Sequence, residues 1–258
     1  MEKISIIIVN WNVADSLDQC IKSVMATKYV NLELIIIDNN SKIKPKLVSI
    51  QNPINIGVPR AWNQGLKRAT GDYILILNPD TRIPKDFFTK AIAYLKSHPE
   101  AGVLGPKFVN PDGTPQGSVF PEPSILRAIG QYWLKLGPLT EKYIPSNNEP
   151  ITVNSISGAC MFLPKFAIAK VGKFTEKVFM YYEDLDYCRR LRRAGLKIIF
   201  HPAITIVHEH GQSSLKNPLA FNYHKQASLW YNGPLKHHLL WFILWSAQKF
   251  QKLFGVKR

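Results

Sequence analysis

The sequence is poor in cysteine, poor in acid and free of long apolar runs. Three cysteines, Cys20, Cys160 and Cys188, are scattered over 258 residues. The number is odd and no CxxC spacing occurs, which excludes a disulfide framework and a zinc knuckle and suits a reducing compartment. The longest late apolar run, Leu239 to Trp245, is far short of the roughly 20 residues needed to span a bilayer. Met1 leads almost directly into an apolar strand, Ile4 to Val9, without the longer stretch and small-residue cleavage site of a signal peptide. The expectation is a cytoplasmic chain, with peripheral contact to the inner face of the cytoplasmic membrane left open. Acid is the scarcer charge: 18 Asp and Glu against 33 Lys and Arg, a net +15. That excess favours an anionic partner, whether nucleic acid, an anionic membrane or a phosphorylated substrate. No GxGxxG follows the first strand, and "NIGVPRAWNQG" lacks the GK[ST] ending of a P-loop. Four arginines, Arg189, Arg190, Arg192 and Arg193, share one segment, but no DNA- or RNA-binding signature accompanies them, so nucleic acid is not expected as a partner.

What is present is an alternation of strand and helix through the first hundred residues. "ISIIIVNWN", "LELIIIDNNS" and "DYILILNPD" are continuously apolar runs that stop on polar residues, and a short strand lies near Leu47 to Gln51. Continuous rather than alternating apolarity marks a parallel sheet covered on both faces. Between the strands, Leu17, Cys20, Ile21, Val24 and Met25 recur at helical spacing, with Asp15 as the expected cap. Pro59 opens a second helix and Pro84 a third. The fold class is α/β, with a mostly parallel central sheet flanked by helices and a helical tail. Ligands of such sheets bind beyond the carboxyl ends of the strands. The polar residues there, Asn10, Asp38, Asn39, Asn78 and Asp80, are therefore expected to line one crevice.

Past residue 100 the pattern loosens. Asp112-Gly113 reads as a hairpin turn, and residues 135–150, with three prolines, read as a mobile loop over the site. "SISGACMFLP" is a further strand. "YYEDLDYCRRLRRAG" opens a helix with acids and closes it with bases and glycine, as the helix dipole favours. "AITIVHEHGQSS" is a last strand leading onto His208 and His210. The tail "PLKHHLLWFILWSAQKFQKLFGVKR" mixes Trp, Leu and Phe with Lys and Arg, either as an interfacial amphipathic helix or as a helix packed on its own domain or a second subunit.

Three groups carry candidate chemistry, each with a bland alternative. Asn78-Pro79-Asp80 is a common turn; it also places a carboxylate at a strand end, where Mg²⁺ or Mn²⁺ binds through one or two carboxylates plus substrate phosphates. Glu183 and Asp184 are either dipole partners in a first helical turn or a general base raised in pKa by burial and a neighbouring acid. His208 is either structural or a neutral imidazole that completes the metal's shell.

In order and spacing, "SIIIVNWN", "LIIIDNNS", "NIGVPRAWNQGL", "GDYILILNPDT", "SGACMFLPK", "YYEDLDYCRRLRRAG" and "HEHGQSS" together resemble glycosyltransferase family 2, of GT-A fold, over roughly residues 3–215. Within it the chain is most similar to the rhamnosyltransferase-like branch that builds bacterial surface polysaccharides. The resemblance implies an inverting transferase that takes a nucleotide-diphosphate sugar, dTDP-rhamnose before a UDP-sugar, and a glycan or lipid-linked glycan acceptor. It implies that Asn10 and Asp38 face the base and ribose, and that Asn55, Arg60 and Asn63 lie near the nucleotide or diphosphate. Asp80 matches the last acid of the DxD metal motif, Asp184 the acid of the ED catalytic motif, and His208 the histidine near the metal. The sequence departs from the pattern at Asn78, where many relatives have aspartate, leaving one strong metal carboxylate. Residues 1–215 are expected to form the transferase domain, with a donor half at 1–100 and an acceptor half at 101–215, and 216–258 a helical extension. A non-catalytic nucleotide- or carbohydrate-binding module and a nucleotidyltransferase are the rival readings. The latter is disfavoured because "NWNVADSL" lacks a Gly-rich basic loop after the first strand.

Overall fold

The computed structural model describes residues 1–209 and 218–253. The amino-terminal alternation becomes β1 (Ile4–Asn10), α1 (Ala14–Ala26), β2 (Leu32–Asp38), β3 (Ile50–Gln51), α2 (Val58–Arg68), β4 (Tyr73–Leu77), β5 (Thr81–Arg82), α3 (Phe87–Ser97) and β6 (Ala101–Val109). A looser stretch follows: β7 (Pro115–Gln116), β8 (Val119–Phe120), α4 (Ile125–Tyr132), β9 (Ile151–Thr152) and β10 (Ser155–Ile156). Regular structure resumes with β11 (Cys160–Pro164), α5 (Lys165–Val171), α6 (Glu183–Arg193) and β12 (Lys197–His208), then α7 (Ala220–Asn232) and α8 (Pro234–Leu253).

The main sheet runs β3-β2-β1-β4-β11-β6-β12-β5. β1 pairs parallel with β2 and β4, β2 with β3, and β6 with β12. β11 is the reversed strand, antiparallel to both β4 and β6. One edge of the sheet thus collects the carboxyl ends of β1, β2, β4 and β12 and the amino end of β11. Side-chain alternation explains the unbroken apolar runs. Ile4, Ile6 and Ile8 pack with Leu17, Phe87 and Phe88 on the α1/α3 face. Ile7 and Ile37 pack with Trp62, Tyr187 and Leu191 on the α2/α6 face. Both faces are covered, so within β1 only the buried Ser5 interrupts the apolar run before the strand ends on Asn10.

Local expectations shift in four places. Asp15 does not cap α1: Val13 is the N-cap residue, without a side-chain bond, and Asp15 sits inside the first turn. Asn12, in the left-handed region at φ 59°, turns the chain early and is held by Ser41. α3 begins at Phe87 rather than Pro84, because Pro84 lies in a turn closed by the Phe87 N–H. The third strand shrinks to Ile50–Gln51. Residues 135–150 are fastened to the body: Val119 and Tyr143 exchange two backbone bonds, 3.2 and 2.9 Å, and Gln131 holds Thr140. The Arg-rich face of α6 is largely paired. Arg189 and Arg192 both bind Glu122, and Arg190 binds Asp186.

Candidate active site

Three structural devices converge on the carboxyl edge of the sheet. The first is the turn after β4. Both the backbone N–H and the hydroxyl of Thr81 close on the Asn78 carbonyl, at 3.3 and 2.7 Å. The turn and the ligand reading are therefore compatible: β5 leaves the turn to pair antiparallel with the end of β12, Thr81 opposite His208. The Glu209 N–H then donates to the Asp80 carbonyl at 2.9 Å. This pairing brings Asp80 Oδ1 to 3.5 Å from His208 Nε2, both side chains buried.

The proton on His208 follows from its neighbours. Gln116 donates through Nε2 to Asn110 Oδ1 and to the His208 carbonyl, so its Oε1 accepts from His208 Nδ1 at 2.7 Å. With Nδ1 as the donor, a ring carrying that one proton turns its Nε2 lone pair toward a carboxylate oxygen. Asp80 Oδ1 has no hydrogen-bond donor in its buried setting. Two facing acceptors are stabilised by a cation between them, which is the fit expected of a divalent metal site. No group of three or more His, Cys, Asp or Glu able to hold a metal occurs among the described residues, so Asp80 and His208 alone suit a metal that completes its shell from phosphate oxygens and water.

The second device is the start of α6. Tyr181 and Tyr182 lie in the left-handed region, at φ 73° and 64°, which costs about 1–2 kcal/mol for each non-glycine residue. Their rings hold them there. Tyr182 packs on Tyr231 and His224 of α7, Tyr181 on His224, and Phe179 stacks on Tyr223 at 4.4 Å. The tail thus folds back and braces the segment that aims Glu183 and Asp184 at the cleft. From the other side Gly57, at φ 87°, leaves no room for a Cβ against the Phe179 carbonyl, and Val58 N–H bonds that same oxygen at 2.8 Å.

The two acids are not equivalent. Asp184 accepts from the Gly158 N–H at 2.9 Å and from the Leu185 N–H at 2.8 Å. Glu183 keeps Oε2 buried without a partner. Burial pushes both carboxyls up, Glu183 to about 8 with the charge of Asp184 as second cause. The amide donors favour a charge on Asp184, so the proton of this coupled pair rests on Glu183 and Asp184 is the ionised member.

The third device is the loop after α4. It places Lys142 in the cleft, with its ammonium 4.8 Å above the Phe120 ring. Burial lowers its pKa against the opposing pull of Asp184, Glu183 and Asp80. It is the only lysine or arginine among the described residues lining the cleft, whose volume is about 210 Å³.

Of the residues singled out by sequence, Asn39, Asn55, Asn78, Asp80, Glu183, Asp184 and His208 line this cleft. Four do not. Asp38 is fully buried and accepts from Asn10, Ser41 and Gln51. Burial raises its pKa, but those bonds outweigh it and hold the carboxyl low. Asn10 is fully buried beside it. Asn63 clasps the Phe174 backbone in both directions and bonds Glu176. Arg60 lies on the exposed side of α2. Asn10, Asp38 and Asn63 thus spend their polar atoms on bonds within the chain that support the cleft's walls. His210, Gly211 and Ser213 lie outside the described residues. Lys142, Gln116 and the two left-handed tyrosines went unread in the sequence.

A reversed strand within a parallel sheet, an acid beside a histidine at its carboxyl edge and an acid pair across the cleft define the GT-A class. The same fold occurs in the mannosyltransferase PcManGT of Pyrobaculum calidifontis, solved with GDP-Man and Mn²⁺ (TM-score 0.64, 14% identity, 100% of this chain and 76% of that one). It also occurs in GalNAc-T7 solved with UDP, GalNAc and Mn²⁺ (TM-score 0.60, 17% identity, 81% of this chain and 44% of that one). The sequence profile of glycosyl transferase family 2 matches residues 5–172, and the chain belongs to that family. An N-acetylglucosaminyl-diphospho-decaprenol L-rhamnosyltransferase of Mycobacterium tuberculosis is 29% identical over 182 residues, 64% of this chain and 59% of that protein. The match thus spans less than two thirds of that relative's length.

Proposed function

We propose that this chain is an inverting glycosyltransferase. It moves a sugar from a nucleotide-diphosphate sugar, dTDP-rhamnose first and a UDP-sugar second, to a hydroxyl of a glycan or lipid-linked glycan in surface polysaccharide synthesis. The observation that carries this reading is the convergence of Asp80 with His208 and of Glu183 with Asp184 on one cleft. The rhamnosyl and diphospho-decaprenol terms in the name of the mycobacterial relative support the donor and the acceptor class.

In this reading the nucleoside lies along Val9, Trp11, Asn39 and Asn55, and the diphosphate near Lys142 and Asp80. Asp80 and His208 would hold Mg²⁺ or Mn²⁺, which when bound offsets the charge of the departing diphosphate. Lys142 adds a second positive charge in a cleft that otherwise presents acids to an anionic donor. Asp184 takes the proton of the acceptor hydroxyl. The oxygen's electron pair forms the bond to the anomeric carbon while the bond to the diphosphate oxygen breaks on the opposite face. The leaving pair departs with the nucleoside diphosphate, and the configuration inverts. Glu183, protonated, spares Asp184 a second adjacent charge, and the Gly158 N–H keeps the base aimed. Melting curves with nucleotide diphosphates and their sugars, with and without Mn²⁺, test donor binding. Transfer of labelled sugar to a lipid-linked acceptor tests the chemistry. A protein that binds donors yet never transfers or hydrolyses them would be a binding module instead.

A further inference from the structure

The carboxyl-terminal helix leaves an apolar face uncovered. α8 buries His237, Ile243 and Ala247 toward the body, against α4 and α7. Its opposite side repeats Leu235, Leu239, Phe242, Trp245 and Leu253 at helical spacing, with Phe242 60% and Trp245 55% exposed. The patch continues onto α4 through the ring contact of Trp133 with Phe250, 5.4 Å between centroids. Leu126 on α4, and Leu134 and Leu136 just beyond it, are also exposed. Grouped exposed apolar side chains of this kind mark a surface that meets a partner.

Charge selects the partner. From residue 210 to 258 the sequence has seven Lys and Arg and no Asp or Glu. Lys249 and Lys252 are exposed on α8, and Lys135 lies between the exposed Leu134 and Leu136. Two copies of this face would bring like charges together, whereas anionic headgroups complement them. Exposed tryptophan beside lysine suits the headgroup boundary. No helix among the described residues is long and apolar enough to cross a membrane, so the helix lies in the plane. We infer that the α4/α8 face docks on an anionic phospholipid bilayer. Lys142 lies six positions after Leu136, so the docked segment leads directly to the cleft.

The inference stands apart from sugar transfer and is read without it. The full chain is floated with phosphatidylcholine vesicles, with and without phosphatidylglycerol. Binding is expected on the phosphatidylglycerol vesicles and to fall as salt rises. Phe242→Ser with Trp245→Ser, and separately Lys249→Gln with Lys252→Gln, should each weaken it by roughly 10- to 30-fold. All four side chains are exposed, so the melting temperature should hold. Brominated lipid should quench the wild-type fluorescence more than that of Trp245→Phe, a check that needs no disruptive substitution. Absence of flotation, or binding indifferent to anionic lipid and to both double substitutions, overturns the inference. So does a dimer in solution that Phe242→Ser with Trp245→Ser turns into monomer, which assigns the face to a second copy.

Discussion

Replacing Glu183 by glutamine should stabilise the protein at alkaline pH while removing an acid from the cleft. Glu183 holds its proton to about pH 8 in the folded chain, against an ordinary value of 4.5. Burial is the main cause and the adjacent Asp184 the second, with Lys142 pulling weakly the other way. Between those two pH values the folded state binds more protons than the unfolded state, so stability falls as pH rises. The contribution is unfavourable in full above the folded value and vanishes below the unfolded one. At about 1.4 kcal/mol per pH unit, the loss between pH 5 and pH 8 reaches about 3 kcal/mol as a ceiling, because part of the rise is shared with Asp184. Glutamine keeps the shape and cannot ionise. Urea unfolding followed by far-ultraviolet circular dichroism at pH 5, 6.5 and 8 gives the comparison. The wild type should lose stability relative to Glu183→Gln across the series, with the two closest at pH 5. Parallel curves would show that Glu183 is not held neutral and would undo the assignment of the proton within the acid pair.

Other consequences concern the cleft. Asp80→Asn should abolish the gain in nucleotide affinity that Mn²⁺ confers in titration calorimetry, while binding without metal persists; an unchanged Mn²⁺ effect places the metal elsewhere. Gln116→Leu frees the His208 ring from its fixed tautomer, and Mn²⁺ affinity should drop by roughly 10- to 100-fold, as losing a ligand's hydrogen-bond partner typically does. Unaltered affinity would mean that Gln116 does not orient the ring. Lys142→Met should raise the donor KM by roughly 10-fold with little change in unfolding free energy, since a charge-assisted phosphate contact contributes on this order. A loss confined to acceptor KM would move Lys142 to the other substrate.

The sheet was legible because its signal is local: Ile6 to Val9, Leu34 to Ile37 and Tyr73 to Leu77 are apolar on both faces, and the residues after them mark the strand ends. α6 was legible for a similar reason, with acids, bases and Gly195 in dipole order. Asp80, Glu183, Asp184 and His208 could be singled out because they end apolar runs or open a helix, and ligands of such sheets bind beyond the strands' carboxyl ends. Asp38 and Asn63 looked the same in sequence, yet Ser41, Gln51 and the Phe174 backbone satisfy them. Whether a polar side chain meets a ligand or its own chain depends on partners 3 to 111 positions away. Lys142 was unreadable for that reason, since its position rests on the Val119–Tyr143 bridge. The left-handed Tyr181 and Tyr182 run against backbone preference and persist because α7 packs over them, a contact that no window around residue 181 contains.

The central claim is that a charged Asp184 serves as the base in a cleft whose donor site is built by other residues. Single-turnover transfer from a labelled nucleotide-diphosphate sugar, measured beside Mn²⁺-dependent nucleotide binding in Asp184→Asn, addresses it most directly. Nucleotide binding should equal that of the wild type while transfer falls by about 10²- to 10⁴-fold, the range of general-base catalysis. Transfer at near wild-type rate in Asp184→Asn, with binding intact, would contradict the account.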